Sequence, residues 1–128
     1  MTSPLLSYQY VVLRCVPRVD RGEFINVGVV LHSQGADFLD CAFSLDQERL
    51  RSFAPELDLE SVDAILQTIG AICRGQGGPG RPRLEGLGQR FGWFAAPRST
   101  VLQPGPVHGG LTDDPAGELR RLLARLVG

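Results

Sequence analysis

The stretch that most constrains the fold covers residues 8–32, YQYVVLRCVPRVDRGEFINVGVVLH. In its second half Ile25, Val27, Val29 and Leu31 alternate with Phe24, Asn26, Gly28, Val30 and His32. That period of two, rich in β-branched residues, specifies a strand. The first half alternates too, with Val11, Leu13 and Cys15 on one side and Tyr8, Tyr10, Val12, Arg14 and Val16 on the other. Pro17 removes a backbone donor and Gly22 admits a positive φ, so the chain is expected to turn between the strands.

Paired residues of an antiparallel ladder share a face, and a slip of one residue would bury Asn26 beside Leu13. The register that avoids this pairs Arg14 with Asn26, Val12 with Gly28, Tyr10 with Val30 and Tyr8 with His32. A turn at Ser33, Gln34 and Gly35 returns a third strand over residues 37–43, with Leu39, Cys41 and Phe43 on the oily face and Phe38, Asp40 and Ala42 on the other. Asp40 then lies across from Gly28, and Arg14 reaches over the bare glycine toward it. The sheet has one oily face and one mixed face carrying Tyr8, Tyr10, Arg14, Asn26, His32 and Asp40. The mixed face is the candidate site.

Residues 45–53 read as a short helix capped by Asp46 and ended by Pro55. A longer helix follows from a cap at Asp58, with an apolar stripe of Leu59, Val62, Ile65, Leu66, Ile69, Ile72 and Cys73, closed by Gly75. Residues 75–88, GQGGPGRPRLEGLG, are read with the next few residues as a flexible loop at about 75–90. No Gly-Lys-Ser/Thr follows it, so it is not a phosphate cradle. Phe91, Trp93 and Phe94 anchor the chain to the core, and residues 98–103 read as a strand ended by Pro104 and Pro106. The last helix is capped by Asp114, with Pro115 at its first position and Leu119, Leu122, Leu123, Leu126 and Val127 as its buried face. The expected architecture is a single α+β domain over residues 1–128. It has a three-stranded antiparallel meander plus a fourth strand, and helices packed on the oily face.

Composition enters through what it excludes. All thirteen basic residues are arginine, which removes Schiff-base chemistry and a Walker-type phosphate lysine. A net charge of −1 with no basic block makes nucleic acid an unlikely partner. The apolar runs are too short to span a bilayer and the start of the chain lacks a signal peptide's basic and apolar regions, so a cytoplasmic location without membrane contact is expected. Cys15, Cys41 and Cys73 are widely spaced, and two fall on the oily face, as structural thiols do. His32 and His108 lack ligand spacing and could pair only if both reached the mixed face. Ser99 has no nucleophile elbow around it. No catalytic residue, metal or cofactor is assigned.

Two polar groups each carry two readings. Arg14, Asn26 and Asp40 are either a cluster that recognises an anion or carbonyl or a buried salt bridge that sets register. Arg18, Asp20, Arg21 and Glu23 are either a solvated hairpin tip or, through Arg21-Gly22-Glu23, a segment that orders the Arg98 region or presents a partner-binding edge.

The run YQYVVLRCVPRVDRGEFINVGVVL, followed by LDQERLRSF and PRSTVLQPGPVHGGLTDDP, resembles a bacterial family, domain of unknown function 3037 (DUF3037), over residues 7–126. These blocks hold Arg14, Arg21, Glu23, Asn26, Gly28, Arg98, Ser99, Gln103 and His108. The resemblance implies no activity or catalytic residue, but it does imply a genomic setting beside HipA-like kinases and hence a regulatory or toxin–antitoxin context. The candidate binding residues are therefore Tyr8, Tyr10, Arg14, Arg21, Glu23, Asn26, Asp40, Arg98, Gln103 and His108. The expected function is a non-enzymatic binding or regulatory module with a protein partner. The alternative is an enzyme or sensor that takes a phosphorylated or nucleotide ligand on the Arg/Tyr/Asn face.

Overall fold

The computed structural model describes residues 4–75, 86–95 and 101–128. β1 (Leu6–Cys15) and β2 (Ile25–Ser33) form the expected hairpin. Its tip contains one 3-10 turn, Val19–Arg21, and then Gly22 at φ +70°, a conformation that costs glycine nothing. β3 (Phe38–Phe43) completes the meander. α1 (Gln47–Phe53) and α2 (Leu59–Cys73) start where carboxylates meet free amides: Asp46 accepts from the Arg49 N–H and Asp58 from the Ser61 N–H. α3 (Leu87–Ala95), β4 (Leu102–Pro104), β5 (His108–Thr112) and α4 (Pro115–Leu126) follow. Asp114 caps α4 through the Gly117 N–H.

The sheet order is β3-β2-β1, and both β4 and β5 lie on the outer edge of β1. They are one strand broken by a bulge. Leu13 pairs with Pro104 and Tyr10 with His108, so residues 105–107 stand opposite Val11 and Val12 alone. The Gly105 N–H donates to the Val12 carbonyl at 2.8 Å.

A second bulge corrects the expected register. Arg14 does pair with Asn26, but Leu13 pairs with Gly28, and Val27 is left as the extra residue. From there the ladder runs Val12 to Val29, Tyr10 to Leu31 and Gln9 to His32, one residue away from the expected pairs. A bulge of one residue turns every later side chain of its strand over. Val30 therefore packs with Val11, Leu13, Ile25 and Val27 under α2 and α3, while Val29 and Leu31 pack with Leu119 and Leu122 of α4.

The α+β class and the antiparallel meander hold, with a different distribution of helices. α2 and α3 cover one face of the sheet and α4 covers the other, lying over β2 and β3. Burial from both sides explains why neighbouring Val29 and Val30 are both fully buried. α3 and β5 are additions to the expected elements. The flexible loop read to about residue 90 gives way to α3 at Leu87, and its residues 76–85 lie outside those described, as do residues 98–100 of the expected fourth strand. Ile65, expected in the buried stripe of α2, is 40 % exposed. Among the described residues no helix is long and apolar enough to cross a membrane.

Candidate binding face beside helix α4

α4 lies over β2 and β3, and the β1 half of the same face, with β4 and β5 beside it, is less covered. Alternation along β1 puts Tyr8, Tyr10, Val12 and Arg14 on this half. All four are half-buried, and His108 on the flanking strand is exposed.

The aromatic end is tightly set. Tyr8 lies opposite Gly110 with its ring on the glycine backbone, so a Cβ there would come within 2.6 Å of the phenol oxygen. The Tyr8 and Tyr10 ring centroids are 6.1 Å apart at 27°, and Tyr10 and His108 are 5.3 Å apart. Burial, and after it the Glu118 carboxylate on α4, push the Tyr8 phenol above its usual range.

At the other end Arg14 stands in the ladder between Asn26 of β2 and Gln103 of β4. Its guanidinium carbon sits 4.1 Å from the centre of the Phe24 ring, a cation–π contact. The same group lies against Gly105, where a Cβ would be 3.1 Å from Cζ and Nε. Held in this way, Arg14 keeps a buried Nε with no hydrogen-bond partner. Asn26 donates from Nδ2 to the Leu126 carbonyl at 3.1 Å, in the last turn of α4, which fixes the amide, and its Oδ1 is buried and unpartnered. An unmet buried donor or acceptor costs about 1–3 kcal/mol. One unmet donor and one unmet acceptor thus stand on facing residues.

Tyr8, Tyr10, Arg14, Asn26, Gln103 and His108 are brought together as one face. Asp40 is not part of it. It pairs with Leu31 rather than Gly28, which puts it two strands from β1 and about 13 Å along the strands from the Arg14 row. Its Oδ1 accepts from the Cys41 N–H at 2.8 Å. Gly28 pairs with Leu13 and Phe43, and its bare side is on the α2 side, filled by those two residues. The meeting of Arg14 and Asp40 over Gly28 is therefore overturned by the Val27 bulge and the register of β3.

His32 also leaves the mixed face. It stacks on Phe91 of α3 at 5.4 Å, with Nε2 buried and unpartnered, and burial lowers its pKa. A His32–His108 couple is excluded, because the two side chains sit on opposite faces. Arg21 and Glu23 form an exposed ion pair at the hairpin tip, 2.6 Å long, lining a hollow of about 250 Å³ with Arg18 and Glu56. Arg98 lies outside the described residues.

The residues missed from sequence are Phe24, Gly105 and Gly110. Each becomes legible only once the bulges place it against Arg14 or Tyr8. Cys15 and Cys73 are buried and Cys41 is half-buried. Burial pushes the Cys41 thiol up to about 12 and raises Cys73 as well, so neither is a thiolate near neutral pH. Among the described residues no three His, Cys, Asp or Glu side chains converge as a metal site requires.

The family model described as "Protein of unknown function (DUF3037)" matches residues 10–127, from the second half of β1 to the end of α4. The chain belongs to the DUF3037 family. No curated protein and no solved structure matches it. The DUF3037 match takes in every residue of the candidate face except Tyr8.

Proposed function

We propose that this DUF3037 protein is a small bacterial cytosolic binding module, without enzymatic activity, that takes an extended segment of a protein partner along β1 beside α4. The reading is carried by the half-buried Arg14 guanidinium on the same side of β1 as Tyr8 and Tyr10. Tyr8 and Tyr10 extend the surface, and Tyr and Arg are the residue types that anchor interfaces. The distance from the Arg14 row to the Tyr10 row is about 13 Å, the reach of four extended residues. Among the described residues the ion pairs are Arg18–Asp20, Arg21–Glu23 and Glu118–Arg121, and Arg14 belongs to none of them. Its charge suits an acidic side chain on the partner. The kinase-neighbour context implied by the family makes a HipA-like kinase the first partner to test.

The experiment is capture of partners from native cells by the tagged protein, with Arg14→Ala and Tyr10→Ala alongside. Wild type should retain a protein that both variants lose at least about tenfold, equivalent to about 1.4 kcal/mol. Capture of nothing by wild type, with a small molecule raising Tm instead, would overturn the reading.

A second reading rests on the same guanidinium and on the neighbouring pair of Tyr10 and His108 rings, about 13 Å along the strand from the Arg14 row. A nucleotide could stack its base on the rings and set its phosphate on Arg14. Thermal shift against nucleoside mono- and diphosphates tests it, and a hit that survives Arg14→Ala does not use this face.

A further inference from the structure

β5 is the outer strand along the first half of β1, and among the described residues its other edge pairs with nothing. Edge strands are normally guarded by lysine, proline, inward charges or a covering helix, because a bare row of N–H and C=O groups templates another strand. Among the described residues β5 has none of these guards, and the bulge at residues 105–107 ends where the strand begins. Residues 107–112, VHGGLT, contain no charge and no proline, and α4 packs over β2 and β3 instead. Val107 is 47 % exposed and Leu111 63 %, with Leu5, 64 % exposed, two residues before the Ser7 that pairs with Leu111.

We infer that this edge pairs with β5 of a second copy of the chain, antiparallel about a two-fold axis at Gly109, so that two sheets join into one. A two-fold that relates antiparallel strands stands perpendicular to the sheet, so residues that pair share a face. Centring on Gly109 sets Val107 of each copy against Leu111 of the other and closes the exposed apolar side chains on one another. Centring on Gly110 would leave Val107 facing Asp113. On the α4 side the Gly109 register puts His108 across from Gly110 of the other copy, where the Tyr8 ring lies. Glu118 acts on that same tyrosine, which gives the incoming imidazole a carboxylate nearby. Three apolar side chains fall well short of the roughly 800 Å² per partner of a stable interface, so the dimer forms only at high protein concentration. The edge is separate from the Arg14–Asn26 pair and goes beyond the proposed function.

Sedimentation velocity on the full chain from about 10 μM to about 1 mM should show a dimer growing with concentration. Leu111→Lys should hold the protein monomeric throughout, and Arg14→Ala should leave the dimer unchanged. Under mild oxidation a Val107→Cys, Leu111→Cys double variant should cross-link, because facing Cα atoms are roughly 4.5–5.5 Å apart. Neither single variant should do so, since like positions lie more than about 13 Å apart. A monomer at the highest concentration overturns the inference. Single variants that cross-link as fast as the double variant overturn it too.

Discussion

Arg14 and Asn26 face each other across β1 and β2, and each keeps a buried polar atom, Nε of one and Oδ1 of the other, without a hydrogen-bond partner. The folded chain carries this arrangement at a cost in stability, because burial strips a polar group of the hydration it had in the unfolded chain.

Arg14→Met should therefore separate binding from folding. The variant loses a cation–π contact of about 0.5–1 kcal/mol and sheds the cost of the unmet donor, so the urea midpoint should move by less than about 1 kcal/mol equivalent. Partner capture should be lost. A fall in stability above about 3 kcal/mol would make Arg14 a structural residue instead.

Gly110→Ala tests the seat of Tyr8. Alanine in a strand normally gains about 0.5–1 kcal/mol over glycine, but here the new Cβ would meet the Tyr8 ring at 2.6–3.0 Å. A net loss of about 1–3 kcal/mol is expected in denaturant unfolding. In a Tyr8→Ala background the same change should cost nothing, which a double-mutant cycle will read directly.

His32 gives the fold an acid limit. An unfolded histidine titrates near 6.5, and burial against Phe91 holds the folded value lower. Above about pH 6.5 both states are neutral and the stability is complete. As pH falls, the unfolded chain takes up a proton first, and stability drains away until pH passes the folded value. Urea midpoints at pH 7.5 and 5.0 should therefore differ more for wild type than for His32→Leu. Equal pH slopes would show that His32 is already hydrated in the fold.

Two helix glycines should respond with opposite signs. Gly92 in α3 has no atom within 4 Å of a would-be Cβ, so Gly92→Ala should raise stability by up to about 1 kcal/mol through helix propensity. In α4 a Cβ on Gly117 would collide with the capping carboxylate of Asp114. Gly117→Ala should break that cap and lower stability by about 1 kcal/mol, net of propensity. Thermal melts of the two variants check both signs.

Much of the architecture is legible from local chemistry. Asp46, Asp58 and Asp114 mark the starts of α1, α2 and α4, and Gly22 marks the hairpin tip. Caps and turns act over three or four residues, so the sequence states them directly. α3 was harder to find, because Gly88 and Gly92 interrupt its apolar pattern and it depends on Phe91 and Phe94 entering the core. β5 was hidden for a related reason: with two glycines among five residues, His108–Thr112 has no alternation to read, and its place comes from pairing with Leu6–Tyr10.

The sequence alone settled the meander, the caps, the Arg14–Asn26 pairing and the grouping of Tyr8, Tyr10 and Arg14 on one side of β1. Only the tertiary structure decided which side of the sheet His32 would serve and how far along its face Asp40 would stand from Arg14. A period-two pattern reports a face when one face is wet, but VGVVL is buried on both sides, so its side chains look alike whichever way they point. Val27 could therefore bulge without leaving a trace in the pattern, and that single extra residue sent His32 to α3 and left Val29 and Leu31 for α4, while the register of β3 kept Asp40 away from Arg14.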